Sequence, residues 1–353
     1  MRILMLPGDG IGPEIAEATA AVLEQLRTSS SLDLTLDRRD IGLASLAASG
    51  TTLPQDVIDA IHDVDGVILG PVSHYDYPPR AEGGINPSAE LRVTLDLFAN
   101  IRPCRTRPGI PAPGKPMDLV IVRENTEGFY ADRNMAAGSG EFMPEPDIAL
   151  AVRKITAKGS TRIARAAFEL ARERRRKVTA VHKANVLKLS DGLFLKCVRE
   201  VAAAFPDVEL DEVIVDAAAA LLIRSPERFD VIVTTNMFGD ILSDEASELT
   251  GSLGLGGAIN VGRDHCVAQA QHGSAPDIAG RGIANPASLI LSAGMLLDWL
   301  GRRHGRAELC AAATRLSRAV DAALLEPAAR TRDVGGSGDT REFVDAICRA
   351  LHG

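Results

Sequence analysis

Short apolar runs alternate with longer amphipathic stretches along this sequence, and the alternation limits the possible fold more than any other feature. Each run is brief, rich in β-branched residues and bounded by turn residues, as in strands buried on both faces of a sheet. The runs are residues 3–6, 66–69, 119–122, 178–181 and 231–234. The stretches between them carry apolar residues at three- and four-residue spacing, which is typical of helices with one buried face. They include residues 14–26, 162–173, 192–205 and 289–300. The pattern predicts an α/β fold with a mostly parallel sheet.

The length and charge of the chain limit the classes of function that it can have. The chain has 353 residues, which suggests two domains or one large doubly wound unit with an insertion. Its 39 Lys and Arg against 47 Asp and Glu give a net charge of −8, and only 4% of residues are aromatic. Both observations argue against nucleic acid or an anionic membrane surface as the partner. The five cysteines are scattered, the N-terminal apolar run is too short for a leader, and the sequence has no long apolar stretch. Together these features predict a cytoplasmic protein with reduced thiols.

Two segments indicate crossings between subdomains. Prolines crowd the beginning of the interval from about 101 to 154, and Gly138-Ser139-Gly140 interrupts its later part. We expect a crossing followed by an arm there, and a return crossing at the glycine-rich residues 251–257. A chain with two such crossings leaves one domain and later re-enters it.

A glycine-rich loop follows the first predicted strand. In residues 7–14, Pro-Gly-Asp-Gly-Ile-Gly-Pro-Glu, the glycines permit a tight turn and Pro13 suits the first turn of a helix. Such loops often face phosphate or nicotinamide groups. The spacing differs from the G-x-G-x-x-G fingerprint, so a purely structural turn is an equal alternative.

Asp240 and Asp244 form the strongest pair of candidate ligands. They lie four residues apart at the start of a predicted helix that follows the strand at 231–234. This spacing places both carboxylates on one helical face near the carboxyl end of a strand. Carboxylate oxygens suit Mg²⁺ or Mn²⁺, whereas a solvated acidic first turn is the alternative.

Three arginines lie in apolar or strand-like surroundings. They are Arg92, Arg102 and Arg123. If they converge on one cleft, their guanidinium groups suit a substrate with two carboxylates, because each can bind a carboxylate in bidentate fashion. Separate structural ion pairs are the alternative.

Two further loops carry candidate residues. Lys183 and Asn185 follow the predicted strand at 178–181, where a lysine could transfer a proton or simply be an exposed loop residue. Residues 272–277, His-Gly-Ser-Ala-Pro-Asp, end in a carboxylate that could accept hydrogen bonds from an adenosine ribose and would repel a 2′-phosphate. A simple turn is the alternative there.

Taken together, these segments resemble the β-decarboxylating dehydrogenases, the family of isocitrate, isopropylmalate, homoisocitrate and tartrate/malate dehydrogenases. The resemblance extends from Leu6 to Gly336. Its most specific segments are residues 97–103, 122–130, 182–187, 234–244 and 272–280. It implies an isopropylmalate-dehydrogenase-like, doubly wound α/β fold of two domains with a central cleft. Residues 1–98 with 251–353 would form the cofactor-binding domain, and residues 99–250 the substrate and dimerisation domain with an arm around 131–155.

The resemblance also implies the site residues. The substrate would contact Ser88, Arg92, Arg102 and Arg123. A Mg²⁺ or Mn²⁺ ion would be held by Asp240, Asp244 and, from a second subunit, Asp216. The catalytic residues would be Tyr130, Lys183 and Asp216, with Lys183 also supplied by the second subunit. NAD would contact Ile11, Asn185, His272, Gly273, Ser274, Ala275, Asp277 and Asn285. The acidic Asp277 favours NAD over NADP.

The implied reaction is NAD-dependent oxidative decarboxylation of a 3-substituted (R)-malate by a homodimer or higher even oligomer, with K⁺ as a further cofactor to test.

The choice of substrate depends on the residues before Arg92. Isopropylmalate enzymes typically place two leucines there, whereas residues 86–91 here are small and polar and include Pro87, as in the homoisocitrate group. This favours homoisocitrate, a tricarboxylate. No basic residue within 83–91 would bind the distal carboxylate of homoisocitrate, although Arg80 is near. The dicarboxylates 3-isopropylmalate, tartrate and D-malate, as well as isocitrate, therefore remain alternative substrates. A non-catalytic subunit of a heteromeric dehydrogenase is the remote alternative. Residues 268–271, Ala-Gln-Ala-Gln, depart from the Phe-Glu-Pro-Val of many members.

Overall fold

All five predicted strands form in the computed structural model of the protein, which describes residues 1–352. Short central strands bury every residue, because helices cover both faces of the sheet. The strands are β1 (Arg2–Leu6), β2 (Thr35–Arg38), β3 (Gly66–Leu69), β4 (Ala99–Arg105), β5 (Asp118–Glu124), β6 (Glu141–Glu145), β7 (Ile148–Ala151), β8 (Lys177–His182), β9 (Glu209–Ile214), β10 (Val231–Thr234), β11 (Ile259–Val261) and β12 (Cys266–Gln269).

The four predicted helices also form, and the helix expected after β10 begins at Asn236. One end differs: the stretch 192–205 is helical only to Ala202, and the chain then turns toward β9. The helices are α1 (Gly12–Ser29), α2 (Gly42–Ser49), α3 (Gln55–His62), α4 (Pro87–Thr94), α5 (Ala157–Arg172), α6 (Ser190–Ala202), α7 (Val215–Arg224), α8 (Asn236–Leu249), α9 (Ala287–His304), α10 (Ala307–Leu324) and α11 (Thr340–His352). None of the described helices has the length and apolar content that a membrane span requires.

Ten strands form one sheet in the order β2-β1-β3-β12-β11-β4-β5-β10-β8-β9. The four strands at one edge are mutually parallel, and so are the four at the other edge. Antiparallel pairing occurs only in the centre, where β11 lies between β12 and β4, and β4 pairs with β5. The sheet is therefore mostly parallel, as predicted, and the two parallel halves run in opposite directions.

The strand order also shows which parts of the chain supply each half of the sheet. The edge from β2 to β11 comes from residues 2–69 and 259–269, whereas β4, β5, β10, β8 and β9 come from residues 99–234. A large apolar cluster packs α1, α9, α10 and α11 on the first half, and a second packs α5 and α6 on the other. The division into residues 1–98 with 251–353 and residues 99–250 stays a prediction, and Gly353 lies outside the described residues.

A separate two-stranded sheet lies within the segment expected to form an arm. Strands β6 and β7 pair antiparallel, and every residue in both is exposed. The exposed side chains include Phe142, Met143, Ile148 and Leu150, which are large and apolar. An apolar two-stranded sheet of this kind is marginally stable alone in water.

Candidate active site

The site begins at the carboxyl end of β5, where a buried arginine faces the first turns of α8. Arg123 is 1% exposed and donates from Nε to Asn236 Oδ1 over 2.9 Å. Its Nη1 forms an ion pair with Asp240. Burial lowers the pKa of Arg123 to about 10, and the neighbouring Arg102 contributes in the same direction. The guanidinium therefore stays protonated near neutral pH.

Gly239 provides the space that the Arg123 side chain occupies. A Cβ added at this glycine would lie 2.7 Å from both Cβ and Cγ of Arg123. The backbone of Gly239 is ordinary helix, so the glycine is required by packing rather than by its torsion angles.

Arg102 approaches the same helix from β4. Its Nη1 donates to Ser243 Oγ over 2.7 Å and forms ion pairs with Asp244 Oδ1 at 3.0 Å and Asp240 Oδ1 at 3.3 Å. The Nε of Arg102 is buried and has no hydrogen-bond partner within residues 1–352. Such a buried, unsatisfied donor is costly unless a ligand or water accepts from it.

Tyr130, from the loop after β5, donates its hydroxyl hydrogen bond to Asp240 Oδ2. The guanidinium carbons of Arg123 and Arg133 each lie 5.0 Å from the centroid of its ring. Burial raises the pKa of Tyr130 and outweighs the opposing effect of Arg123. The phenol is consequently protonated at neutral pH and can serve as a proton donor.

The two candidate metal ligands differ in their proton affinity. Burial alone would raise the pKa of Asp240, but the guanidinium groups of Arg123 and Arg102 outweigh it and the pKa is lowered. Burial raises the pKa of Asp244 despite the opposing charge of Arg102. Ionised carboxylates one helical turn apart are suitable ligands for a hard divalent cation. Among residues 1–352, however, no group of three or more His, Cys, Asp or Glu side chains comes together within one chain to hold a metal ion.

Arg92 completes the cluster of guanidinium groups from the side of α4. Its Nε is buried without a partner within residues 1–352, and its Nη2 lies 3.5 Å from Gln269 Oε1. Burial lowers the pKa of Arg92, and the like charges of Arg133, Arg123 and Arg102 lower it further. Ser88, one turn earlier in α4, donates to the same Gln269 oxygen over 3.1 Å.

Lys183 and Asp216 form a second group. Lys183 Nζ donates to Asp216 Oδ1, and this contact lowers the pKa of the Asp216 carboxyl. The loop that carries Lys183 is held by Asp191, which is fully buried, accepts from Lys183 N and forms an ion pair with Arg153. Within residues 1–352 of one chain, no hydrogen bond or ion pair connects Lys183 or Asp216 with Asp240 or Asp244.

The two loops assigned to the cofactor lie against each other. Ile11 N donates to Ser274 O over 2.8 Å, and Gly10 adopts a positive φ of 59° where it approaches Ser274. Ser274 Oγ accepts from Ser73 over 2.8 Å. The Ile11 side chain is 5% exposed and packs in the apolar core beneath the loop, so only its backbone borders this surface.

The remaining cofactor candidates differ in whether their polar side-chain atoms already form hydrogen bonds within the protein. His272 Nε2 is buried without a partner, and Asp277 is exposed and makes no hydrogen bond or ion pair within residues 1–352. Asn285, by contrast, accepts from Ala287 N and donates to Asp333. Gly273 and Asn185 are exposed, whereas Ala275 is partly buried with a positive φ of 37°. The orphaned His272 nitrogen and the free carboxylate fit a nucleotide ligand.

Four residues that border the site were missed as functional candidates by sequence reasoning. Asn236 orients Arg123, Ser243 accepts from Arg102, Arg133 stacks on Tyr130, and Gln269 contacts Arg92. The signal for Gln269 was present, because it lies in the segment 268–271 that departs from the family pattern. Asn236 and Ser243 belong to the motif at 234–244, whereas Arg133 lies three residues beyond the motif at 122–130. Nothing in the spacing of these three residues shows what they contact.

Comparison with known proteins agrees with this geometry. Residues 2–347 match the isocitrate/isopropylmalate dehydrogenase family. The chain is similar to isocitrate/homoisocitrate dehydrogenase of Thermus thermophilus, with 43% identity over 99% of this chain and 98% of the relative. It is also 39% identical to 3-isopropylmalate dehydrogenase of Saccharolobus solfataricus over 99% of each chain. Its fold matches the crystal structure of isocitrate dehydrogenase from Methylococcus capsulatus with a TM-score of 0.87 and 39% identity, covering 100% and 99% of the two chains. These matches confirm the resemblance and the fold class.

Proposed function

Because this chain belongs to the isocitrate/isopropylmalate dehydrogenase family of oxidatively decarboxylating enzymes, we propose that it is an NAD-dependent dehydrogenase of a 3-substituted (R)-malate. The substrate we favour is of the homoisocitrate type. Its hydroxyl-bearing carbon would lose a hydride to NAD⁺ and its hydroxyl oxygen a proton, and the carboxylate β to the new ketone would then leave as CO₂.

The single observation that carries this proposal is the convergence of Arg92, Arg102 and Arg123 on one cleft. Arg102 and Arg123 are buried, and within residues 1–352 their ion pairs are with Asp240 and Asp244 alone. Buried guanidinium groups with unsatisfied Nε atoms are costly unless a ligand or water accepts from them. A substrate with at least two carboxylates supplies that anion and binds guanidinium in bidentate geometry.

The metal ligands we assign are Asp240 and Asp244 of one subunit and Asp216 of the partner subunit. Two carboxylates on one helical face fit a divalent cation, and the lack of a third ligand within one described chain supports a site shared between subunits. When bound, NAD⁺ supplies a hydride acceptor and Mg²⁺ or Mn²⁺ supplies Lewis-acid stabilisation of the developing oxyanion. K⁺ is a further cation to test.

Proton transfer is assigned to two groups. Lys183, aided by its contact with Asp216, would remove the hydroxyl proton from the carbinol. Tyr130 would donate its proton to the carbon that CO₂ leaves, because its raised pKa keeps the phenol protonated at neutral pH. Asp240 accepts the hydrogen bond of the Tyr130 hydroxyl and therefore orients it.

For NAD, we assign the surface formed by the glycine-rich loop and residues 272–277. The free carboxylate of Asp277 would accept hydrogen bonds from the adenosine ribose and repel the 2′-phosphate of NADP. His272, whose Nε2 is orphaned, would face the adenine side. Residues 1–98 with 251–353 would form the domain that carries this surface.

The shared site and the exposed apolar side chains support a homodimer. Val186, Leu189, Ile223 and Ile241 are between 56% and 90% exposed and lie on or beside α6, α7 and α8. The apolar arm of β6 and β7 is exposed over its full length. Apolar surface of this extent is typical of subunit contacts.

The substrate assignment rests on the polar surroundings of Ser88 and Gln269. A buried methylene is worth about 0.8 kcal/mol only in an apolar pocket, which Ser88 and Gln269 do not supply. Arg80, the upstream candidate for a distal carboxylate, is instead paired with Glu90 at 2.9 Å. The alternatives are 3-isopropylmalate, on which the relative of S. solfataricus is named to act, isocitrate, and tartrate or D-malate. A non-catalytic subunit is disfavoured because every assigned ligand and acid/base residue is present.

The test is NADH formation at 340 nm with homoisocitrate, isocitrate, 3-isopropylmalate, D-malate and tartrate, each with NAD⁺ or NADP⁺ and with or without Mn²⁺. We expect metal-dependent activity with NAD⁺ and the highest kcat/KM for homoisocitrate. Absence of activity with every compound would refute the enzymatic assignment. A tenfold preference for 3-isopropylmalate would refute the substrate assignment alone.

A further inference from the structure

Gln271 lies between the helix that carries two of the proposed metal ligands and the loop assigned to NAD. Its Nε2 donates to Ser243 O over 3.1 Å and to Asp244 Oδ1 over 3.2 Å, both on α8. Its backbone N donates to Ser288 Oγ over 3.1 Å, and the next residue in the chain is His272. One side chain therefore connects a proposed metal ligand with the proposed NAD surface.

The identity of the two acceptors determines the orientation of the Gln271 amide. Ser243 O is a backbone carbonyl oxygen and Asp244 Oδ1 is a carboxylate oxygen, so both can only accept a hydrogen bond. The group within reach of both is consequently the NH₂ group, which has one N–H for each acceptor. The oxygen of the amide lies on the other side, against Gly256, where an added Cβ would collide with it.

This orientation leaves Gln271 Oε1 buried without a hydrogen-bond partner within residues 1–352. A buried acceptor without a partner is destabilising, whereas an apolar side chain at the same position avoids that penalty. Many members of the family have valine here, whereas the segment 268–271 of this chain ends in glutamine. The contacts of Nε2 with α8 are what the structure shows to compensate for the buried oxygen.

The hydrogen bonds to the Asp244 carboxylate all involve one of its two oxygens. Oδ1 accepts from Gln271 and also from Arg102 Nη1, the latter over 3.0 Å. Within residues 1–352, Oδ2 accepts no hydrogen bond, and the side chain is half exposed, so this oxygen is available to a ligand. Two donors from different parts of the chain restrict the rotation of the carboxylate. Hydrogen bonds that orient a ligating carboxylate in this way raise the affinity of a metal site.

We propose that Gln271 is a positioning residue that fixes the Asp244 carboxylate for the divalent cation and couples occupation of the metal site to the affinity for NAD. The inference rests on the proposed function and extends it to a connection between two of its ligand sites. When Asp244 is held by a cation, Gln271 is held with it, and the backbone that leads into His272 is ordered before NAD arrives. Binding to a surface that is already ordered loses less conformational entropy, so the two affinities rise together.

The test measures two affinities of the purified protein without substrate, so that no turnover occurs. Mn²⁺ binding is followed by the electron paramagnetic resonance signal of free Mn²⁺, and NAD⁺ binding by titration calorimetry with and without saturating Mn²⁺. For wild-type protein we expect Mn²⁺ to tighten NAD⁺ binding by about fivefold or more, and NAD⁺ to tighten Mn²⁺ binding by the same factor.

Gln271→Met keeps the length of the side chain and removes its donor. We expect this variant to bind Mn²⁺ about tenfold more weakly and to reduce the coupling to less than about twofold. Its NAD⁺ affinity without Mn²⁺ should stay within about twofold of wild type, whereas a merely structural defect in the loop would weaken NAD⁺ binding under both conditions. Gln271→Val should give the same result and tests the proposal even if Gln271→Met does not fold.

Gln55→Met is the matched control. Gln55 also donates from Nε2 to an aspartate, Asp59 Oδ1, over 2.9 Å, but on the exposed surface of α3. The loss of this glutamine–aspartate hydrogen bond should leave both the Mn²⁺ affinity and the coupling unchanged.

Different outcomes overturn different claims. Mn²⁺ affinity within about twofold of wild type in both Gln271 variants, coupling that persists in them, or an equal loss in Gln55→Met would overturn the role of Gln271 and leave the dehydrogenase assignment intact. Lack of coupling in wild-type protein would do the same. If wild-type protein bound neither Mn²⁺ nor NAD⁺ and oxidised none of the five compounds named above, the proposed function itself would be wrong.

Discussion

Replacing Gly239 by alanine tests whether α8 and Arg123 are packed as described. Gly239 has ordinary helical torsion angles, so the backbone accepts alanine without strain. The added methyl group, however, would lie 2.7 Å from Cβ and Cγ of Arg123, and the side chain of Arg123 is fully buried and cannot move away freely. The variant should therefore lose both stability and activity.

The magnitude follows from two opposing contributions. Alanine in a helix interior is favoured over glycine by about 1 kcal/mol. Overpacking a well-filled interior costs about 1–3 kcal/mol. We expect a net loss of about 1 kcal/mol, and up to about 2 kcal/mol, in the free energy of unfolding. Because Arg123 must shift, kcat/KM should fall by about a hundredfold, as expected for a displacement of about 1 Å at a positioning group.

The matched control is Gly192→Ala in α6, where an added Cβ would meet no atom within 4 Å. This variant should gain about 0.5–1 kcal/mol by helix propensity alone. Urea denaturation and the NADH assay measure both effects. If Gly239→Ala were as stabilised as Gly192→Ala and fully active, the packing argument for Arg123 would be wrong.

Three other predictions concern residues around the site. Asp191→Asn should lower the free energy of unfolding by about 3–5 kcal/mol in urea denaturation, because Arg153 is left buried without its counter-charge, and an unchanged midpoint would contradict this. Arg123 and Arg102 lower the pKa of Asp240 below 3.8 against the opposing effect of burial. The ionised carboxylate therefore contributes its full stabilisation above pH 3.8, and this stabilisation is lost as the pH falls through the lower pKa of the folded state. The stability difference between wild type and Asp240→Asn should accordingly shrink on acidification, and a difference that grows would refute the assignment. Asp277→Ser should raise kcat/KM with NADP⁺ by about tenfold or more, since it removes a carboxylate expected to repel the 2′-phosphate, and unchanged discrimination between NAD⁺ and NADP⁺ would contradict the role of Asp277.

Hydrophobic patterning was sufficient to predict the main elements of the fold. Strands such as β3 and β10 are buried on both faces, so their sequences are continuous apolar runs that few other structures accommodate. The same patterning did not show β11 or β4 as strands with antiparallel pairing. β11 has only three residues, and β4 contains Pro103 and two arginines, so neither has a strong pattern of its own.

The site was predicted through motifs rather than through contacts. The spacing of Asp240 and Asp244 indicated a shared helical face, and the family resemblance pointed to Arg102 and Arg123. No sequence pattern could show that these arginines form ion pairs with the two aspartates. Those contacts depend on how β4 and β5 approach α8, which is a property of the tertiary structure.

The contacts of Gln269 illustrate the same limit. Its identity was visible as a departure from the family pattern, but its contacts with Ser88 and Arg92, which lie 181 and 177 positions away in the chain, exist only in the folded structure. Distances of this kind in sequence carry no periodic signal. Only the assembled hydrogen-bond network connects Gln269 to Arg92.

The most direct test of a shared active site uses one heterodimer purified with two different affinity tags. One subunit carries Lys183→Ala and the other Tyr130→Phe, and each variant alone should form an inactive homodimer. In the heterodimer, one of the two symmetric sites would combine the intact tyrosine of one subunit with the intact lysine of the other, so about half of the wild-type specific activity should return. A heterodimer as inactive as both parents would contradict an active site built from two chains.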